Sequence, residues 1–168
     1  MLTSTMLVVS NTSPLSNLAI IGQLELVREQ LGSVIIPPAV RAELSRNPSP
    51  AALVALEAAI RDGWISVKTL SGNLPAELAA SLHLGEAEAL ALAIETKAAL
   101  VLLDESAARD QARQLGFKFT GALGVLRWAK QNGRISSLKE PMFRLRKEAR
   151  FFINPALEKA LLVSVGEM

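Results

Sequence analysis

The chain reads as an α/β protein, a three-layer α/β/α sandwich around a central parallel sheet of about five strands. Three observations predict it. Short apolar runs recur through the first 120 residues. Each is followed by a stretch of helical spacing, and strands that alternate with helices build parallel sheets covered on both faces. Two of the runs, Leu7-Val8-Val9-Ser10 and Ala99-Leu100-Val101-Leu102-Leu103, lead straight into a polar residue, Asn11 in the first and Asp104 in the second. Open parallel sheets bind ligands beyond the carboxyl ends of strands where the strand order reverses, so these two residues mark where chemistry is expected.

The elements follow in order. Ser13 before Pro14 predicts an N-cap with proline at the first helical position, and Leu15, Leu18 and Ala19 continue at helical spacing. Gly22 punctuates that helix. A second helix over 24–31 is closed by Gly32, before the buried strand Val34-Ile35-Ile36. Pro37-Pro38 imposes an extended step and a fresh helix start, with Val40, Glu43 and Leu44 in its first turns. Asn47-Pro48-Ser49-Pro50 is a loop, 51–61 a helix, Asp62-Gly63 a turn and 64–67 an alternating third strand. Helices over 75–82 and 86–97 precede the strand ending at Leu103; a helix over 105–115, a short strand over 117–120 and a helical last third complete the chain.

A length of 168 residues suits one domain, with an α/β core over 6–126 and a basic helical part over 127–168. The absence of cysteine excludes thiol nucleophiles, disulfides and thiolate metal sites, and points to a reducing compartment, the cytoplasm. Half of the residues are hydrophobic, yet charged residues or glycine interrupt every run before about 18 apolar residues accumulate, so no membrane span is expected. Residues 1–6 lack the basic region and long apolar run of a secretory signal, and Met6 serves equally well as a start.

The net charge is only +2, but its distribution is uneven. Residues 127–150 hold eight basic residues against two acidic ones, +6, whereas the remainder holds ten against fourteen, −4. A mildly acidic body with a basic lobe suits a polyanionic partner, with Arg127, Lys130, Arg134, Arg144, Arg146 and Lys147 as the candidate contacts; the plainer alternative is two amphipathic helices with solvated faces.

Several familiar sites are absent. The lone His83 cannot build a histidine metal site and reads as a surface or capping residue. There is no GxxxxGK[ST] loop, and no GxGxxG follows the first strand. Acidic residues remain. On the helix that opens at Gly85, Glu86 lies beside the apolar stripe of Ala87, Leu90 and Ile94, while Glu88 and Glu95 fall opposite it. Glu43 sits one turn into the helix that follows the second strand. Asn11, Glu43, Glu86 and Asp104 are therefore expected at the carboxyl side of the sheet, one from each of four successive units. Hard oxygen ligands suit Mg²⁺ or Mn²⁺, which relieves the repulsion among clustered carboxylates and activates water for phosphodiester hydrolysis without a covalent intermediate.

These residues also resemble a known family. Val8-Val9-Ser10-Asn11-Thr12-Ser13-Pro14-Leu15, Val34 to Leu44, Leu84-Gly85-Glu86-Ala87-Glu88-Ala89, Leu102-Leu103-Asp104-Glu105 and Thr120 to Leu126 are similar, in order, to one subfamily of the PIN-domain ribonucleases. The resemblance implies a strand order of 3-2-1-4-5, Mg²⁺- or Mn²⁺-dependent cleavage of single-stranded RNA, a homodimer, and the role of toxin in a toxin–antitoxin pair, held inactive by a small antitoxin protein. It places Glu43, Glu86 and Asp104 at the family's acidic positions, and Ser13 and Thr120 at polar positions lining the same cleft. Asn11 departs from it, because PIN nucleases usually carry Asp there; the amide oxygen can ligate a metal but brings no charge. Three readings compete: an active nuclease, a PIN-like RNA- or protein-binding module weakened or inactivated at Asn11, and a phosphatase using Asp104 as nucleophile. The last lacks the second aspartate two residues on, where Ser106 stands.

Overall fold

The computed structural model describes residues 6–168; the leader reading of residues 1–5 lies outside them. Among the described residues five short strands form one sheet: β1 (Val8–Ser10), β2 (Val34–Ile36), β3 (Ile65–Val67), β4 (Leu100–Leu102) and β5 (Phe119–Thr120). Their order is β3-β2-β1-β4-β5 and every pair is parallel. The chain builds outward from β1 to β3 and then crosses back to β4, so the order reverses between β1 and β4. Val8 pairs with Leu100 and Ser10 with Leu102, which brings the two carboxyl ends level.

The two-residue period of a strand explains the layers. Val8, Val34, Ile36 and Leu102 point into one core, with residues from α1 (Thr12–Ile20), α2 (Glu25–Leu31), α3 (Pro38–Leu44) and α4 (Pro50–Arg61). Val9, Val101 and Leu103 point into the other, against α5 (Ala76–Ser81), α6 (Leu84–Thr96) and α7 (Ser106–Gln114). The last three helices, α8 (Ala122–Gln131), α9 (Lys139–Glu148) and α10 (Pro155–Ser164), extend the first core. This is the expected three-layer sandwich. Among the described residues no helix is long and apolar enough to cross a membrane.

One boundary and one side-chain orientation differ from expectation in ways that shape the site. α1 begins at Thr12 with Asn11, not Ser13, as its N-cap, because the Asn11 amide still donates to the Leu102 carbonyl at 3.0 Å and the chain passes from strand to helix without a loop. Glu88 does not face solvent: α3 packs against α6, and the Glu88 carboxylate accepts the Ala39 N–H at 3.1 Å, capping a helix whose own N-cap, Pro37, has no side-chain acceptor.

Candidate active site

Asn11 is 3% exposed, and its Oδ1 has no hydrogen-bond partner. An N-cap asparagine ordinarily accepts from the first turn of its helix. Here it makes no such bond, so its oxygen stays free at the strand end.

Around it lies a cleft of about 310 Å³ lined by Asn11, Thr12, Ser13, Glu43, His83, Glu86 and Glu105. Glu43 comes from α3, where its carboxylate accepts from the Thr12 hydroxyl. It also lies against Gly85, where a Cβ would overlap Glu43 Oε1 and come within 3.1 Å of its Cδ; a bare backbone at that point leaves the carboxylate its place. Glu86, in the first turn of α6, is 7% exposed and accepts the His83 backbone N–H at 3.1 Å. It therefore caps its own helix and lines the cleft at once. Ser13 Oγ donates to Glu105 Oε1 at 2.8 Å, and His83 caps α6 from the rim. No lysine or arginine lines this cleft.

Asp104 stands apart from that group. Its side chain is 6% exposed; Oδ1 accepts the Ala122 N–H at the start of α8 at 3.0 Å and lies 3.9 Å from Arg109 Nη2. It caps α8, not the helix that follows it in sequence. Burial pushes its carboxyl up to about 6, although the Ala122 N–H and the Arg109 guanidinium both pull the other way. Oδ2 has no partner. Asp104 and Thr120 line a second cavity, of about 390 Å³, with Arg109 and Phe119. Gly121 gives Asp104 its room, since a Cβ there would overlap Oδ1 and lie 2.9 Å from the Leu103 carbonyl.

The structure thus brings Asn11, Ser13, Glu43 and Glu86 to one cleft, and places Asp104 and Thr120 in the adjoining cavity. Thr12 and Glu105 complete the cleft and were not expected. Each directly follows a strand-end polar residue, which is the signal that points to them.

In the basic lobe most candidate contacts are already partnered. Arg144 grips Glu148 through Nε at 2.6 Å and Nη2 at 3.0 Å, and Arg146 grips Glu158 at 2.9 and 2.7 Å. Lys130 lies 3.6 Å from Glu167, and Arg134 3.3 Å from Glu29. Arg127 donates to Ser164, and Lys147 stands 5.8 Å over the Phe143 ring.

A family model described as a PIN domain matches residues 7–167. The chain belongs to the PIN-domain family. No curated protein and no solved structure matches it. PIN domains are generally nucleases and typically use divalent metals. Among the described residues of this PIN domain, no three acidic or histidine side chains come close enough to hold one ion by themselves. The donors instead fit an ion that keeps much of its water, as Mg²⁺ does when one or two carboxylates bind it. They are all oxygens, and two of them, Asn11 Oδ1 and Asp104 Oδ2, are buried without a partner.

Proposed function

We propose that this PIN domain is a metal-dependent ribonuclease that hydrolyses phosphodiester bonds of single-stranded RNA. One observation supports the reading most strongly: two unpartnered buried oxygens, on Asn11 and Asp104, stand at level strand ends where the sheet order reverses, and Asn11 shares its cleft with the carboxylates of Glu43 and Glu86. A buried polar atom without a partner costs about 1–3 kcal/mol, so one such oxygen at each of two adjacent strand ends is suited to accept from a ligand or from ordered water.

Asn11, Glu43, Glu86 and Asp104 would hold Mg²⁺ or Mn²⁺, which supplies activated water and stabilises the charge developing on the phosphate. The chain's own residues prepare that site. Thr12 fixes one Glu43 oxygen, and the capping bond to His83 fixes one Glu86 oxygen. The second oxygen of each is available to accept from water. Ser13 holds Glu105 at the mouth. In the basic lobe Arg127 and Lys147 have no carboxylate partner among the described residues, and we assign them to phosphate contacts ahead of Lys130, Arg134, Arg144 and Arg146. The biological setting we propose is a homodimeric toxin paired with a small antitoxin protein; a small reading frame immediately upstream would support it.

The neutral Asn11 favours a second reading, a PIN module that binds RNA and cleaves it weakly or not at all, because the cleft lacks one negative charge. Cleavage of single-stranded RNA in Mn²⁺ by the wild type, Asn11→Asp and Asp104→Asn separates the two. The ribonuclease reading expects activity in the wild type, more in Asn11→Asp and almost none in Asp104→Asn. Equal activity in all three contradicts it, and activity confined to Asn11→Asp establishes the second reading.

A further inference from the structure

The acidic cleft continues past Glu105. It shares His83, Glu86 and Glu105 with a neighbouring hollow of about 550 Å³, and that hollow shares Ser106 with the 390 Å³ cavity beside Asp104. The three hollows adjoin one another through these shared residues, near the carboxyl ends of the strands. Their chemistry changes along the way. The near end is carboxylate-lined; the far end is walled by Phe119, Phe151, Phe152 and Leu157, over a polar floor that includes Thr120. Phe152 is 80% exposed and Leu157 46%, apolar surface that the core does not account for.

Two arginines stand at the same end, each with a carboxylate neighbour: Arg109 lies 3.9 Å from Asp104, and Arg113 pairs with Asp110 at 2.9 Å. The guanidinium groups of Arg109 and Arg113 lie 5.0 and 5.2 Å from the centre of the Phe119 ring. Arg109 donates through Nε to the Leu103 carbonyl at 2.8 Å, which fixes its position. Stacked arginine beside exposed aromatic surface is the combination by which proteins hold single-stranded nucleic acid: every base has a face to stack, and the guanidinium attracts the phosphate beside it. A volume of 390 Å³ lies within the range of small-ligand pockets. Ser106 lines both this cavity and the hollow beside the acidic cleft, so a strand bound at the cleft lies within reach of the aromatic wall, an adjacency that a protein partner would not require.

We infer that this aromatic cavity is a nucleobase subsite, in which a base of the RNA strand neighbouring the scissile phosphate stacks on Phe152 while Arg109 and Arg113 face the strand's phosphates. The inference rests on the ribonuclease reading, because the acidic cleft delivers the strand. Stacking tolerates any base, so the subsite strengthens binding without dictating sequence.

The test measures binding of an eight-nucleotide single-stranded RNA to the full chain by fluorescence anisotropy, in EDTA and in Ca²⁺. Wild type is compared with Phe152→Ala, and an abasic residue is walked along the strand. Phe152 is too exposed for its loss to threaten the fold, and a thermal melt checks this. Phe152→Ala should weaken affinity by about 5- to 150-fold, the range for losing one stacked base. One abasic position should weaken the wild type by a similar factor and add nothing to the variant. A change below twofold, or equal abasic sensitivity in both proteins at every position, overturns the subsite. So does a shift from dimer to monomer in sedimentation of the variant, which assigns Phe152 to an interface between copies. Competition by adenosine monophosphate at oligonucleotide concentrations overturns it in favour of a free-nucleotide site. If the wild type binds no RNA in either buffer, the ribonuclease reading fails as well; if wild type and variant bind equally, only the subsite fails.

Discussion

Arg146 and Glu158, in the C-terminal lobe, meet in a two-bond fork at 2.9 and 2.7 Å, whereas Asn11 and Asp104, at the strand ends, each keep a buried oxygen with no partner. The first region spends its charges on itself, and the second leaves them open. Exposed ion pairs contribute little to stability, and the lobe's forks lie at the surface. A buried carboxylate oxygen left without a partner works against folding, and such groups cluster where a ligand is to bind. The contrast separates the strongly basic segment from the place where the chemistry is expected.

The largest effect expected from this comparison concerns Asp104 and pH. Its carboxyl titrates near 6 in the folded metal-free protein against about 3.9 in an unfolded chain. The folded state therefore holds the extra proton between those values, and stability falls as pH rises through that window. Relative to Asp104→Asn, the wild type should gain about 2–3 kcal/mol as pH is lowered from 7 to 4, measured by urea denaturation in EDTA. A difference that stays flat with pH would mean that the Asp104 environment is not as described.

Next in size is Gly121→Ala. The added Cβ meets Asp104 Oδ1, Arg109 Nη2 at 2.5 Å and the Leu103 carbonyl at 2.9 Å, and the carbonyl is backbone that cannot swing aside. The cost should be about 2 kcal/mol of overpacking, read from the denaturation midpoint. Gly85→Ala presses only on the Glu43 side chain, so it should be milder in stability and yet displace a carboxylate of the cleft. In the lobe, Arg146→Met should cost under about 1 kcal/mol, a loss that shrinks with added salt. A larger loss there would erase the contrast between the two regions.

How much of this was legible in the sequence depends on the range of the interaction. The alternation of apolar runs with helical spacing reports layers directly, because strand and helix periods are local. Asn11, Glu43 and Glu86 fall together on the side of the sheet expected for them, because a strand end and the opening two turns of a helix limit where a side chain can go. Asp104 was correctly placed at its strand end, but its side chain turns to cap α8 because Gly121 leaves room there, and that depends on a residue 17 positions later. The fate of the basic residues was hidden for the same reason. Arg134 and Lys130 find Glu29 and Glu167, far away in the chain, and of the ion pairs described in the basic lobe the Arg144–Glu148 pair alone has the short helical spacing that a sequence displays.

Calorimetric titration with Mn²⁺ tests the central claim most directly, because it asks whether the open oxygens of the cleft hold an ion at all. The account predicts saturable binding by the wild type, tighter binding by Asn11→Asp, and its loss in both Glu43→Gln and Asp104→Asn. If neither the wild type nor Asn11→Asp binds Mn²⁺, or if binding survives unchanged in Glu43→Gln and Asp104→Asn, the cleft is not a metal-dependent nuclease centre.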